Sequence, residues 1–157
     1  MIFLTLGTQL PFDRLVQTLD MVAADLDEPI FGQVGKTDYR PTHFEIVDFL
    51  TPSQFAEKMA EARVVVGHAG IGTILTGMRL GKPLVLMARK AKLGEHRNDH
   101  QSATIAQVRS IAGISVVESA EEMHAALAKK VLEPMSDSGS KSRLSMINAL
   151  REEVGLF

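Results

Sequence analysis

The residues best suited to bind a ligand lie in Val64–Thr73, which reads VVVGHAGIGT. Its apolar start predicts a buried strand, and the glycines that follow predict a tight turn opening a helix. Gly70 and Gly72 would let a ligand approach the backbone, and Thr73 can add a hydroxyl donor. The first free N–H groups of the helix would then attract an anion, most naturally a diphosphate. The same glycines also suit an ordinary tight turn.

Two common phosphate-binding motifs do not fit this stretch. A dinucleotide-binding fingerprint has the order G-x-G-x-x-G after the first strand, whereas here the order is G-x-x-G-x-G after the fourth. A P-loop requires Ser or Thr after its lysine, and Lys82 is followed by Pro83. Both motifs are therefore excluded.

Two further segments would reach the same place. Gly7 and Thr8 directly follow the first predicted strand and suit either a phosphate contact or a plain strand-end turn. Asn98–Gln101 opens a predicted helix, and its carboxylate and amide groups suit sugar hydroxyls, although Asp99 alone could be an N-cap. The basic residues before it are Arg89, Lys90, Lys92 and Arg97, which fit either a solvated loop or a phosphate or partner contact.

The histidines do not indicate a metal site. His96 and His100 are four residues apart, but no third ligand and no H-E-x-x-H pattern accompany them. We therefore expect no metal and no cofactor. His43 and His124 have the context of ordinary surface or packing histidines.

The elements that must position these residues alternate along the chain. Strands are predicted over Ile2–Leu6, Pro29–Val34, Phe44–Phe49, Val64–Gly67, Leu84–Met87 and Ser115–Val117. Helices are predicted over Phe12–Ala24, Pro52–Glu61, Gly72–Leu80, Asp99–Ile111 and Ala120–Leu132, and an amphipathic helix over about 141–154 ends the chain. A capping box, Ser119–Glu122, should open the fifth helix. Because several strands are apolar at every position, the pattern predicts an α/β fold with a doubly wound parallel sheet and ligands at the strands' carboxyl ends.

Composition narrows the class of protein. The chain has 157 residues, a net charge of −2 and no cysteine, so we expect one domain, 1–157, in the cytoplasm and no nucleic-acid partner. No signal peptide and no apolar run of membrane-spanning length is evident.

His68–Thr73, Gly81–Pro83 and Asn98–Gln101 together resemble the C-terminal, donor-binding domain of family 28 glycosyltransferases, which is half of the two-domain GT-B fold. The resemblance covers roughly residues 1 to 132. Two stand-alone forms of this domain are most similar: the catalytic subunit that adds the second N-acetylglucosamine to dolichyl diphosphate, and the small subunit of bacterial two-component exopolysaccharide transferases. Gly94–Gln101 resembles the latter most.

The resemblance implies a role for each site residue. Residues that would hold the diphosphate of a UDP-sugar are His68, Gly70, Gly72, Thr73, Gly7 and Thr8. Phe49 and Leu50 would border the uracil, and Asp99, His100 and Gln101 would reach the sugar hydroxyls. Where the family often has a ribose-binding glutamate, this chain has Thr76.

The implied function is the donor-binding half of a two-subunit, metal-independent glycosyltransferase. A membrane-anchored subunit would supply the acceptor domain and the catalytic base, and would hold the chain at the inner face of the membrane. The acceptor would be a lipid-linked saccharide in exopolysaccharide or lipid-linked oligosaccharide synthesis. The last amphipathic helix suits docking of that partner or covering of the chain's own sheet. One alternative is a catalytically silent nucleotide-sugar-binding module. Another is an isomerase or epimerase, which fits less well because it would need a Tyr/Lys pair for proton transfer, and the sole tyrosine, Tyr39, lies on a predicted loop.

Overall fold

A computed structural model describes residues 1–6, 11–68, 71–88 and 113–129. The strands in this part of the chain are β1 (Ile2–Thr5), β2 (Ile30–Gln33), β3 (Glu45–Val47), β4 (Val64–His68), β5 (Leu84–Met87) and β6 (Ile114–Val116). The helices are α1 (Asp13–Ala23), α2 (Pro52–Glu61), α3 (Ile71–Leu80) and α4 (Ala120–Ala128). None of these helices is long and apolar enough to cross a membrane.

The six strands form one parallel sheet in the order β3-β2-β1-β4-β5-β6. The chain first builds outward from β1 to β3 and then returns to build outward from β4 on the other side of β1. In such a sheet, ligands bind beyond the carboxyl ends of the strands where the direction of winding reverses. Here that point lies between β1 and β4, where Thr5 is in register with Gly67.

Side chains alternate between the two faces along every strand, so these apolar strands need cover on both faces. In the described part of the chain, two helices pack on each face. On one face Leu4 and Val66 meet α1 and α4, with Leu15 and Leu19 of α1 fully buried. On the other face Phe3 and Val65 meet Met59, Ile74 and their neighbours on α2 and α3. The doubly wound α/β architecture expected from the apolar strands is therefore confirmed.

All six strands lie where the pattern predicts them, with no end shifted by more than two residues. The largest shift is in β3, which ends at Val47, so Phe49 lies beyond the strand and not inside it. The helices α1, α2 and α3 agree with the predictions within one residue, and α4 begins at the predicted Ala120. The predicted helices over Asp99–Ile111 and 141–154 lie outside the described residues.

The capping of two helices differs from expectation. Thr51 and Gln54 form a full capping box on α2, which the sequence pattern allows but which was not predicted. At α4, Ser119 accepts a hydrogen bond from the Glu122 N–H, but the Glu122 carboxylate accepts from the N–H of Glu118 and not of Ser119. The predicted box at Ser119 is thus only half formed, because the carboxylate reaches one residue further back.

Candidate functional site

The first turn of α3 lies directly beyond the point where the sheet reverses direction. Gly67, near the end of β4, makes this possible, because a Cβ there would lie 3.0 Å from the Thr5 carbonyl oxygen and 3.3 Å from Thr73 Cγ2. Only glycine leaves room for Thr73 to come so close to the sheet. The N-terminus of α3 is therefore held against the carboxyl ends of β1 and β4, where a ligand would meet both.

Gly72 has no packing reason to be glycine. Among the residues that the structure describes, a Cβ at this exposed position would meet no atom within 4 Å, and its backbone is helical. Glycine costs a helix up to about 1 kcal/mol relative to alanine, so its presence in a first turn needs another cause. Open space in front of the first backbone N–H groups and the positive end of a helix is a suitable place for an anion.

The described site residues on β4 and α3 are His68, Gly72 and Thr73, and they lie around the start of α3. His68 is the last residue of β4 and is partly buried, in register with Met87 of β5. Thr73 and Thr76 are also partly buried, with Thr76 one turn further along α3. The other predicted phosphate residues, Gly7, Thr8 and Gly70, and the predicted sugar residues, Asp99, His100 and Gln101, lie outside the described residues.

Phe49 and Leu50 follow the edge strand β3 at the same carboxyl edge of the sheet. Three strand spacings separate β3 from β4, about 14 Å at the usual distance between strands. The Phe49 side chain is 60% exposed, whereas Leu50 packs against the core beneath α2 and α3. An exposed ring at one end and a helix N-terminus at the other suit an elongated ligand with an aromatic and an anionic end.

Arg14 ties the start of α1 to the end of β5. Its Nη2 donates a hydrogen bond of 2.8 Å to the carbonyl oxygen of Ala88, and its guanidinium carbon lies 5.3 Å from the centre of the Phe12 ring. Ala88 leads into the segment that carries the predicted sugar-binding residues. Arg14 therefore holds the residue from which that segment leaves the sheet, and this contact could not be predicted from the sequence.

A buried carboxylate on α1 was also missed. Asp20 accepts hydrogen bonds from the Tyr39 hydroxyl at 2.6 Å and from the N–H groups of Thr42 and His43, and its Oδ1 lies 3.0 Å from His43 Nδ1. Burial by itself would raise the pKa of Asp20, but these hydrogen bonds outweigh it and the pKa is lowered. His43 has the role of a packing histidine, as one of the two expectations for it stated, since it helps to hold the β2–β3 connection on α1.

The described residues contain no group of three or more His, Asp or Glu side chains that could hold a metal ion. His96 and His100 are outside this part of the chain. The chemistry available at the α3 end of the site is that of backbone N–H groups, a helix dipole and hydroxyl groups, all of which recognise anionic oxygen.

Comparison with known protein families agrees with this fold. The model of the glycosyltransferase family 28 C-terminal domain matches residues 1–153. The chain belongs to this family. Among the relatives of this family 28 domain is the UDP-N-acetylglucosamine transferase subunit ALG13 of Debaryomyces hansenii, which is 32% identical over 56 residues, or 36% of this chain and 26% of the relative. ALG13 of Yarrowia lipolytica is 23% identical over 110 residues, or 62% of this chain and 56% of the relative.

Solved structures show the same fold. A solution structure of ALG13 superposes with a TM-score of 0.62 at 18% identity and covers 92% of this chain and 93% of its own. MurG of Acinetobacter baumannii has a TM-score of 0.59 at 18% identity, covering 96% of this chain but 44% of MurG. The kitacinnamycin glycotransferase gives 0.60 at 18% identity, with 98% and 39% covered. The chain thus corresponds to less than half of the MurG and kitacinnamycin glycotransferase chains, in agreement with the expected half of a GT-B fold.

Proposed function

We propose that this chain binds the UDP-sugar donor of a glycosyltransferase whose acceptor domain is a separate, membrane-anchored subunit. The observation that carries the proposal is Gly72, a helix glycine with no steric cause that lies where the sheet reverses direction. The diphosphate would lie against the first turn of α3, near His68, Thr73 and the loop of Gly7 and Thr8. The uracil would lie toward Phe49 and Leu50, and the sugar toward Asp99, His100 and Gln101.

In this proposal the helix supplies electrostatic stabilisation. As the bond between the sugar and UDP breaks, negative charge grows on the diphosphate, and the α3 N–H groups and dipole already point to where it develops. No metal ion is required for this stabilisation. The base that activates the acceptor hydroxyl would come from the other subunit. The names of the ALG13 relatives, which are UDP-N-acetylglucosamine transferase subunits, support a transferase subunit of this kind. The acceptor in this proposal is a lipid-linked saccharide, with exopolysaccharide synthesis favoured over lipid-linked oligosaccharide synthesis by the similarity of Gly94–Gln101.

Gly72→Ala tests the donor site without the partner. The added methyl group would occupy space that the diphosphate needs, so we expect the Kd for UDP to rise at least about tenfold while the fold becomes slightly more stable. Ser53→Ala is the matched control, because Ser53 is the exposed second residue of α2, also a ten-residue helix. Isothermal titration and urea unfolding measure both effects. Unchanged UDP binding in Gly72→Ala would contradict the proposed site.

Reconstitution tests the enzyme. The chain is co-expressed with a candidate acceptor-domain subunit, and UDP release is measured against a panel of UDP-sugars with and without EDTA. We expect turnover in the mixture, none in either half alone, and no loss in EDTA. Binding of UDP-sugars without turnover in any mixture would favour a silent nucleotide-sugar-binding module.

A further inference from the structure

A chain of buried polar groups links three strands at the carboxyl edge of the sheet. Thr5 and Gln33 are 3% and 5% exposed, at the ends of β1 and β2. The Thr5 hydroxyl donates a 2.9 Å hydrogen bond to Gln33 Oε1, and Gln33 Nε2 donates one of 2.9 Å to the carbonyl oxygen of Asp48, just after β3. Burying an amide in a sheet costs free energy unless its hydrogen bonds are made, so its placement here needs a cause.

The orientation of this amide is determined by its partners. A carbonyl oxygen can only accept, so the amide nitrogen of Gln33 must be the atom that faces Asp48. The amide oxygen then faces Thr5, whose hydroxyl donates. The Asp48 carbonyl therefore fixes the orientation of the amide, because the reverse orientation would place two acceptors against each other. The Thr5 hydroxyl, which can donate or accept, then donates to the amide oxygen.

The group that this amide holds is the peptide immediately before Phe49. The Asp48 carbonyl also accepts a 3.0 Å hydrogen bond from the Gly35 N–H, so two donors fix it. On the other side of Phe49, Leu50 packs in the core and Thr51 caps α2. The Phe49 ring, 60% exposed, thus projects from a short stretch of backbone that is anchored at both ends.

We propose that Gln33 is a positioning residue that sets the Phe49 ring for the nucleobase of the donor, an inference that rests on the proposed function. Backbone already held in its bound geometry loses less conformational freedom on binding, which raises affinity. Because Gln33 acts through Phe49 at the β3 end of the site, it governs the contribution of the base to affinity. It leaves the contribution of the diphosphate at α3 unchanged.

Gln33→Met removes both hydrogen bonds at similar side-chain size. We expect the Kd for UDP to rise about five- to tenfold, within the range that stacking of one base on an aromatic ring provides, while the Kd for inorganic diphosphate stays unchanged. Ile46→Val is the control, because Ile46 lies on the same strand β3 and packs beside Gly32, and its side chain cannot form hydrogen bonds. It should lower stability and leave the ratio of the two Kd values as in the wild type.

Phe49→Ala completes a double-mutant cycle measured by the same titrations. If Gln33 acts through the ring, Gln33→Met should weaken UDP binding no further in the Phe49→Ala background. Thr5→Val should show the same pattern more weakly and serves if Gln33→Met does not fold. Additive losses, or equal losses for UDP and diphosphate, would overturn this inference alone. Failure of the wild type to bind UDP would overturn both it and the proposed function.

Discussion

At the scale of single residues, three glycines on β4 and α3 look alike in the sequence but have different causes. Gly67 admits Thr73 to the sheet, Gly77 admits Leu84 of β5, and Gly72 faces open space. The motif alone predicted a phosphate site and could not separate these causes. The reason for Gly77 lies on another strand, and only the packed structure brings that strand to the helix.

Gly77→Ala and Gly72→Ala should therefore change stability in opposite directions. A Cβ at position 77 would lie 2.8 Å from Leu84 Cδ2, and Leu84 is fully buried, so its side chain would have to shift within the packed core. Overpacking of this kind costs about 1–3 kcal/mol, more than the gain in helix propensity. Urea unfolding of both variants measures the difference. A stability gain in Gly77→Ala would show that the core around Leu84 relaxes at little cost.

Asp20 makes a second prediction at this scale. Asp20→Asn replaces an acceptor of several hydrogen bonds by a group that also donates, so we expect a loss of about 2–3 kcal/mol at pH 7. The pKa of Asp20 is lowered from its ordinary value of 3.8 by its hydrogen bonds against the opposing effect of burial. The stabilisation by the carboxylate is therefore present above that value and is lost as the pH falls through the lower, folded-state pKa. Urea unfolding of wild type and Asp20→Asn should converge in acid, and a gap that persists would assign the effect to packing.

At the scale of elements, the pattern located strands and helices well because hydrophobic periodicity is a local property. It did not locate the contacts that join them. Gln33 and Asp20 are polar residues in apolar surroundings, and the atoms that make them tolerable, the Asp48 carbonyl and the groups at 39–43, are distant in sequence. The resemblance to family 28 predicted the ligand-facing loops. It did not predict the buried polar residues that hold connecting segments in place.

The Gly81–Pro83 motif, part of the resemblance to family 28, makes structural contacts between elements. Gly81 has a positive φ of 66° after the end of α3, and Lys82 Nζ donates hydrogen bonds of 2.8 and 2.9 Å to the carbonyl oxygens of Ala60 and Ala62. Lys82 thus caps the end of α2, where carbonyl groups lack helical partners. The motif joins α2, α3 and β5 beneath the site.

Lys82→Met should lower the free energy of unfolding by about 1–2 kcal/mol, because it removes charged hydrogen bonds to a helix terminus while keeping the apolar stem. UDP affinity should be unchanged, since the contacts lie at the amino edge of the sheet. Lys36→Met, at an exposed lysine on the β2–β3 connection, is a control for the lost charge. A marked loss of UDP binding in Lys82→Met would instead place this lysine in the ligand site.

At the scale of the whole molecule, the carboxyl and amino edges of the sheet have different roles. The carboxyl edge carries the candidate site, whereas the amino edge carries a cluster of ion pairs. Arg63 donates to both Glu28 carboxylate oxygens at 2.8–3.0 Å and to the carbonyl oxygens of Leu127 and Lys129 at the end of α4. The Met1 ammonium lies 3.0 Å from the same carboxylate. One side chain therefore joins the starts of β2 and β4 to the last helix of the described part.

Arg63→Met should destabilise the protein in a way that depends on pH. Although burial of Glu28 opposes it, hydrogen bonds from Arg63 and the Met1 ammonium lower the Glu28 pKa from its ordinary value of 4.5. The ion pair therefore stabilises the fold above that value and is lost as the pH falls through the lower, folded-state pKa. We expect Arg63→Met to lose about 2–3 kcal/mol at pH 7 and less near pH 3, in urea unfolding.

Two further variants separate the contribution of the Glu28 ion pair from that of the hydrogen bonds to the end of α4. Arg40→Met, at an exposed arginine on the β2–β3 connection, should change stability by no more than about 0.5 kcal/mol at either pH. Glu28→Gln combined with Arg63→Met isolates the ion pair, because the hydrogen bonds to Leu127 and Lys129 are lost equally whether Glu28 is present or not. If the loss in Arg63→Met is the same at both pH values, Arg63 stabilises the molecule through the end of α4 and not through Glu28. The amino edge would then be held by helix capping, as Lys82 holds α2, and the acid sensitivity of the fold would rest on Asp20.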